Sequence, residues 1–337
     1  MKKILLTGGA GYIGAHTAVE LTNAGYDIVL VDDLSRSDRT LLAGLNKILG
    51  KDVAFYEGNC CDEEFLTKVF SENKFNSVIH FAAYKSVKES VLKPLRYYSN
   101  NIGSITTLLS VMEKFNVNEF IFSSSCTVYG QPDEIPVDEN APFKKAESPY
   151  GATKQMCERI IEDVAFANNN LKSISLRYFN PIGAHGSALI GELPIGVPDN
   201  LVPYVTQTAA GLREKITVFG GDYNTPDGSC LRDYIHVVDL AKAHVKAVEK
   251  IELLKNRQEV FNLGTGEEVS VLSLVRKFIE TIGVKLNYEV GARRPGDIEK
   301  VYANPVKAKQ LLGWQTELSL ETALADAWRW QQQLGKK

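Results

Sequence analysis

Short apolar runs recur along the first half of the chain, and stretches of helical spacing separate them. The runs at 3–7, 27–32, 53–57, 77–82, 119–124 and 172–177 are rich in Ile, Val, Leu and Phe. They are apolar nearly throughout rather than alternating, the pattern of parallel strands buried on both faces. Periodicity predicts helices at 12–23, 62–72, 94–115 and 150–166. Pro94 suits a first helical turn. Ser148 is a good N-cap, with Pro149 at the first helical position. Strands alternating with helices predict βαβ units and an α/β chain.

Past residue 180 the texture changes. Gly, Pro, Asn and Asp gather at 180–200 and again at 220–230, marking loops. Shorter elements are expected between them: helices near 201–212, 237–250, 270–281 and 319–333, strands near 216–219 and 259–263. Composition then narrows the class. The 337 residues are 44% apolar and 23% charged, as in ordinary globular proteins. A formal charge of −3 gives no general pull toward nucleic acid or an acidic membrane. No segment approaches the roughly 18 apolar residues of a membrane span. The opening Met1-Lys2-Lys3-Ile4-Leu5-Leu6 stops at Thr7, too short for a signal peptide's apolar region of about 7–15 residues. Five scattered cysteines make neither a disulfide framework nor a metal-ligand spacing. The expectation is a soluble, cytoplasmic protein with reduced thiols and no metal.

Two motifs carry chemistry. Gly9-Ala10-Gly11-Tyr12-Ile13-Gly14 is a GxGxxG, preceded by Gly8, and it joins the first strand to the first helix. Asp32 ends the second strand 18 residues past Gly14, near the spacing of a dinucleotide fingerprint. The glycines permit a tight turn and close backbone approach to a pyrophosphate, and the helix N-terminus favours its charge. Asp32 would accept hydrogen bonds from the adenosine ribose and repel a 2′-phosphate, so NAD is expected over NADP. Arg36, close by, would soften that preference. The fold class is therefore α/β, a Rossmann-type doubly wound parallel sheet with a smaller mixed α/β C-terminal substrate domain. The expected division is 1–180 for NAD, with returns from about 230–265, and 181–337 mainly for substrate.

The second motif is Tyr150 and Lys154, at i and i+4 on one helix face, following Ser123-Ser124-Ser125 by one element. A phenol is a poor base at neutral pH. An ammonium about 6 Å away is expected to lower its pKa by about two units. Ser125 would share a hydrogen bond with the reacting hydroxyl.

With these residues placed, the chain resembles the extended short-chain dehydrogenase/reductase family, and within it the UDP-hexose 4-epimerases. The stretches that carry the resemblance are TGGAGYIGAH (7–16), VIHFAAYKSVKESVLKPLRYYSNN (78–101), FIFSSSCTVYG (120–130), SPYGATK (148–154), LRYFNPIGAH (176–185), NLVPYV (200–205), FGGDYNTPDGSCLRDYIHVVDLA (219–241), FNLGTG (261–266) and RRPGD (293–297). The resemblance implies reversible inversion at C4 of UDP-glucose and UDP-galactose, through a 4-keto sugar and with NAD retained. It assigns catalysis to Ser125, Tyr150 and Lys154. To the cofactor it assigns Gly8, Gly11, Tyr12, Ile13, Gly14, Asp32, Asp33, Asn59, Cys60, Phe81, Ala82, Lys85, Asn100, Ser123, Tyr178 and Phe179, with the catalytic three. To the UDP-sugar it assigns Lys85, Ser125, Tyr150, Phe179, Asn180, Asn200, Leu201, Thr217, Phe219, Arg232, Tyr234, Arg294, Asp297 and Val301. Arg232 and Arg294 would clamp the pyrophosphate, because a guanidinium fork suits phosphate oxygens.

Two positions depart from the family pattern. Asn59 stands where the family often has Asp to receive the adenine amino group. Val301 stands where some members carry a bulky Tyr, and the extra room is expected to admit N-acetylated UDP-hexosamines. The resemblance also implies a homodimer, paired through the helices beginning near Pro94 and Ser148. Two other readings compete. A nucleotide-sugar dehydratase of the same fold would need an Asp-Glu pair after Ser125, where this chain has Cys126-Thr127-Val128. A noncatalytic NAD-sensing regulator would not need the Tyr–Lys pair. His16, His80, His185 and His236 are expected to be structural, His244 shows no partner in sequence, and Trp314, Trp328 and Trp330 read as packing.

Overall fold

The computed structural model describes residues 2–294 and 297–336. Met1, Lys337 and the Pro295-Gly296 of the RRPGD stretch lie outside the described residues.

The apolar runs form one parallel sheet: β1 (Lys3–Thr7), β2 (Asp27–Asp32), β3 (Ala54–Glu57), β4 (Ser77–His80), β5 (Glu119–Ser125), β6 (Lys172–Tyr178) and a late strand, Gln258–Leu263. The order across the sheet is β3-β2-β1-β4-β5-β6, with Gln258–Leu263 on the edge beside β6. That is the doubly wound order, in which the chain reverses direction between β1 and β4 and leaves a crevice at the strand ends. Register brings the functional ends together. Thr7 pairs with Val31 and His80, and Ser125 pairs with Tyr178.

Helices cover both faces. They are α1 (Tyr12–Asn23), α2 (Arg39–Leu49), α3 (Glu63–Glu72), α4 (Val87–Leu92), α5 (Pro94–Lys114) and α6 (Pro149–Ala167), followed by later helices that include Val237–Lys250. Alternate strand residues feed separate cores. Leu6, Ile79, Ile121 and Ile174 pack with α1 and Val237–Lys250. Leu5, Val78, Phe120 and Phe122 pack with α3, α5 and α6. A third cluster lies outside the sheet, where Ile182, Val205, Val218, Phe278 and Leu324 join the short C-terminal elements.

The structure departs from expectation at several places. The run 77–82 leaves the sheet at His80, because Phe81 donates to the Thr7 carbonyl (2.9 Å) and the chain turns beneath the glycine loop. The helix expected to reach 212 stops at Ala209, where Gly211 takes a left-handed conformation. Neither α2 nor α4 was expected. Gly44 weakens the helical pattern of α2, yet the Leu189 carbonyl approaches so closely that a Cβ would lie 2.0 Å from it. Capping by Asp38 at Thr40 and by Ser86 at Glu89 starts these two helices.

Three histidines are fully enclosed. His80 bonds Thr7 and Ser104, His16 bonds the Tyr12 carbonyl, and His244 bonds Tyr178 and the Leu240 carbonyl. Burial holds their pKa values down, to about 3, about 3 and about 4. Unfolding restores a value near 6.5, so the unfolded chain binds more protons below that pH. Their contribution is complete above pH 6.5 and falls away as pH drops toward 4. At pH 5 each histidine withdraws about 2 kcal/mol. Thermal melts are therefore expected to lose midpoint steeply between pH 6.5 and 4.5. A midpoint flat across that range would contradict the burial.

Candidate active site

The glycine turn is fastened from below. Gly8 N–H donates to the Val31 carbonyl (2.7 Å), Gly11 N–H to the Gly8 carbonyl (3.1 Å), and Ala10 N–H to Asp32 Oδ2 (3.1 Å). Gly8 sits at φ +70°. Gly14 lies so close beneath the turn that a Cβ would fall 2.4 Å from the Gly8 carbonyl oxygen. The N-cap of α1, Gly11, offers no side-chain acceptor, and its first turn holds no acid. The N–H groups of Tyr12, Ile13 and Gly14 therefore have neither a side-chain cap nor a local anion, which suits a pyrophosphate. The residues present fit a dinucleotide.

Asp32 is buried and receives three bonds, from Ala10 N–H, Leu34 N–H and Ser37 Oγ. Burial raises its pKa, and those bonds oppose the rise. Its first task is to tie the glycine turn to β2. Asp33 and Asn59 meet: Asn59 Nδ2 donates to Asp33 Oδ2 (3.2 Å), and Asn59 Oδ1 accepts Cys61 N–H (2.8 Å). Cys60 is buried and Asn100 donates to Asn101. Arg36 is turned to Glu89 and lies over the Tyr84 ring, so it is engaged away from Asp32.

At the end of β5 the structure brings Ser125, Tyr150 and Lys154 together. Ser125 faces the Tyr150 phenol and favours its ionised form. Lys154 Nζ donates to the Ser123 carbonyl (2.5 Å), 4.7 Å from the Phe122 ring centroid and 5.9 Å from that of Tyr150. The expected depression of the Tyr150 pKa is corrected here. Burial pushes the phenol above its ordinary value, with Ser125 opposing. Burial also lowers Lys154, to about 8. The same desolvation that strengthens the ammonium's field disfavours both charged forms.

Behind this group lies a pair that the sequence did not reveal. Tyr178 OH and His244 Nε2 are 2.5 Å apart, His244 Nδ1 faces the Leu240 carbonyl (2.9 Å), and the Phe81 ring packs on His244 at 4.9 Å. The carbonyl fixes the imidazole proton on Nδ1, so Tyr178 is the donor to Nε2. Ala82 lies beneath Gly8, where its N–H nitrogen would be 2.7 Å from a Cβ on that glycine.

Across the cleft, Glu192 accepts from Lys85 Nζ (3.0 Å) and from Asn200 Nδ2 (2.6 Å). Glu192 was not singled out from sequence, but it joins two residues that were. Asn180 donates its side-chain amide to the Asp233 carbonyl (2.9 Å). Phe179 and Val301 share one buried cluster, and Val301 pairs with Arg232. Arg294 binds Asp297 (2.6 Å) and lies 5.6 Å from the Phe219 ring centroid, while Arg232 reaches to 4.0 Å from Asp297. Arg232, Arg294, Asp297 and Phe219 thus converge. Tyr234 is buried and Leu201 opens its helix. The Thr217 hydroxyl is bound to Glu289. Among the described residues no cluster of His, Cys, Asp and Glu is disposed to hold a metal, and no helix is long and apolar enough to cross a membrane.

A dinucleotide turn at β1 and a Ser–Tyr–Lys group at β5, on a sheet of this order, define the class of dinucleotide-dependent enzymes with a tyrosine base. Residues 4–264 match the model of the NAD dependent epimerase/dehydratase family, and the chain belongs to that family. A Bacillus subtilis protein named UDP-glucose 4-epimerase is 51% identical over 328 residues, 97% of this chain and 96% of its own length. The UDP-glucose 4-epimerase of Bifidobacterium longum, solved in complex with NAD+ and UDP, superposes with a TM-score of 0.95 at 46% identity, covering 98% of each chain. The enzyme of that name from Stenotrophomonas maltophila, with bound NAD and formylated UDP-arabinopyranose, gives 0.96 at 42%, covering 100% of this chain and 99% of its own.

Proposed function

We propose that the protein interconverts UDP-glucose and UDP-galactose by inverting C4, with NAD held throughout. The observation that carries this is the grouping of Tyr150 and Lys154 against the end of β5, with Lys154 bound to the Ser123 carbonyl, 5.9 Å from the Tyr150 ring, and Ser125 facing the phenol. When bound, NAD supplies a hydride acceptor for C4 and a positive charge beside the phenol. Tyr150 takes the proton of the 4-hydroxyl and gives it back. Ser125 orients that hydroxyl. Lys154, fixed by the Ser123 carbonyl, supports the phenolate. Arg232 and Arg294 hold the diphosphate, so the sugar can present either face while the nucleotide stays anchored. Residues 1–180, with the return at about 230–265, serve the dinucleotide, and 181–337 mainly hold the UDP-sugar.

Elimination of water lacks its acid and base, since Cys126 follows Ser125 and burial pushes its thiol to about 12. Tyr150 and Lys154 are both present and in contact with β5, which a pure sensor does not need.

Val301 leaves room beside the sugar. UDP-N-acetylgalactosamine is expected to be a substrate, and Val301→Tyr is expected to lose it while retaining UDP-galactose. Failure of the N-acetyl sugar to react where UDP-galactose turns over contradicts this. We also propose a second copy of the chain as partner for the face of α5 and α6, where Leu95, Met156 and Phe166 are exposed. Sedimentation at micromolar concentration is expected to give twice the chain mass, and a monomer would refute it. The five cysteines are free, which fits a cytoplasmic setting.

A further inference from the structure

Three consecutive serines of β5 each meet α6, at helix positions one turn apart. The Ser123 carbonyl accepts from Lys154 (2.5 Å), Ser124 Oγ donates to Glu158 Oε1 (2.5 Å), and Ser125 faces the Tyr150 phenol. Tyr150, Lys154 and Glu158 are spaced i, i+4, i+8 and form one stripe. Glu158 is 4% exposed and Ser124 1%. Arg177 on β6 grips the same carboxylate with Nε (3.0 Å) and Nη2 (2.7 Å). Its Nη1 donates to Tyr129 OH (2.8 Å), which donates to Asn262 Oδ1 (2.6 Å). Every arm of this buried pair is partnered. Such pairs add little stability over apolar residues of like volume, so fixing geometry is the better account of its presence.

We propose that Glu158 is a positioning residue of the active site. Tied to Ser124 and Arg177, it sets where α6 lies on β5 and hence where Tyr150 stands. Its carboxylate, one turn from Lys154, also keeps that ammonium charged. The proposal rests on the roles given above to Tyr150 and Lys154.

The titratable groups facing Lys154 are Tyr150, Cys157 and Glu158 on α6 and His80 on β4. β5 presents the Ser123 carbonyl and the Phe122 ring. Burial keeps His80 neutral and pushes Cys157 to about 11. Tyr150 is protonated in the free protein. Cys157 and then Glu158, which is ion-paired with Arg177, oppose the burial that lowers Lys154.

The two parts of the proposal separate by variant. Ser124→Ala cuts the tie to β5 and leaves the charge. The double variant Glu158→Gln/Arg177→Met removes the carboxylate facing Lys154 together with its guanidinium partner, keeps an acceptor for Ser124 and leaves no buried ion alone. The NAD-loaded proteins are assayed with UDP-galactose across pH, and Lys154 is titrated by NMR of ¹³Cε-lysine, its signal identified by its loss in Lys154→Met. In Ser124→Ala, kcat is expected to fall about tenfold with KM little changed and the Lys154 midpoint unmoved. Ser124→Thr is expected to restore the rate. In the double variant the Lys154 midpoint and the alkaline limb of kcat are expected to move down together by about one pH unit. An unmoved midpoint in the double variant, or a wild-type kcat in Ser124→Ala, overturns the proposal. If wild-type protein fails to turn over, the reading of the site falls, and the NMR midpoints still judge Glu158.

Discussion

Replacing Tyr150 with phenylalanine lowers kcat for UDP-galactose by about 10²–10⁴-fold, the range lost with a positioned general base, and leaves bound NAD in place. The ring keeps its packing and only the hydroxyl goes. That hydroxyl faces Ser125, and burial holds its pKa above the ordinary phenol value. Lys154 cannot replace it, because its nitrogen is held by the Ser123 carbonyl at 2.5 Å. Measured turnover and the NAD released on denaturation check both halves. A variant that keeps its rate removes Tyr150 from the chemistry. One that loses NAD makes the residue structural.

Gly14→Ala acts on the other half of the site. Its Cβ would lie 2.4 Å from the Gly8 carbonyl oxygen and 2.8 Å from Gly9 Cα. Neither neighbour can give way cheaply, since Gly8 is pinned to Val31 at 2.7 Å. Either α1 or the turn must shift. Overpacking of this kind costs about 1–3 kcal/mol, or about 1–4 °C of melting midpoint for a chain of this size. The larger effect falls on the cofactor, whose pyrophosphate needs the turn and the helix N-terminus in register. The purified variant is expected to carry less than about a tenth of the wild-type NAD. Full NAD content with an unchanged midpoint would show that the close approach has no consequence.

Local signals accounted for what was legible in the sequence. β1, α1 and β2 fall at the expected residues, and α6 begins at the Ser148-Pro149 signal. The Tyr150–Lys154 spacing needed only helical geometry. The helix end at Ala209 was missed by three residues, although Gly211, left-handed in the structure, could have signalled it. Partners distant in sequence were not legible. Arg177 reads as one charge in an apolar strand until β6 is placed beside β5 and α6. His244 has no partner until its helix covers Tyr178. Glu192 gains meaning only when its loop meets Lys85. Glu158 is the intermediate case. Its i+8 position from Tyr150 was visible, and its two partners were not. The direction of the Tyr150 shift was misjudged for a related reason: distance to Lys154 was predictable, but the depth of burial acting on both groups was not.

The central claim is inversion at C4 through retained NAD. The most direct test incubates purified protein with UDP-galactose, with no nicotinamide added, and resolves the products. The account predicts UDP-glucose, formed with no cofactor supplied. No UDP-glucose even after NAD is supplied would contradict it.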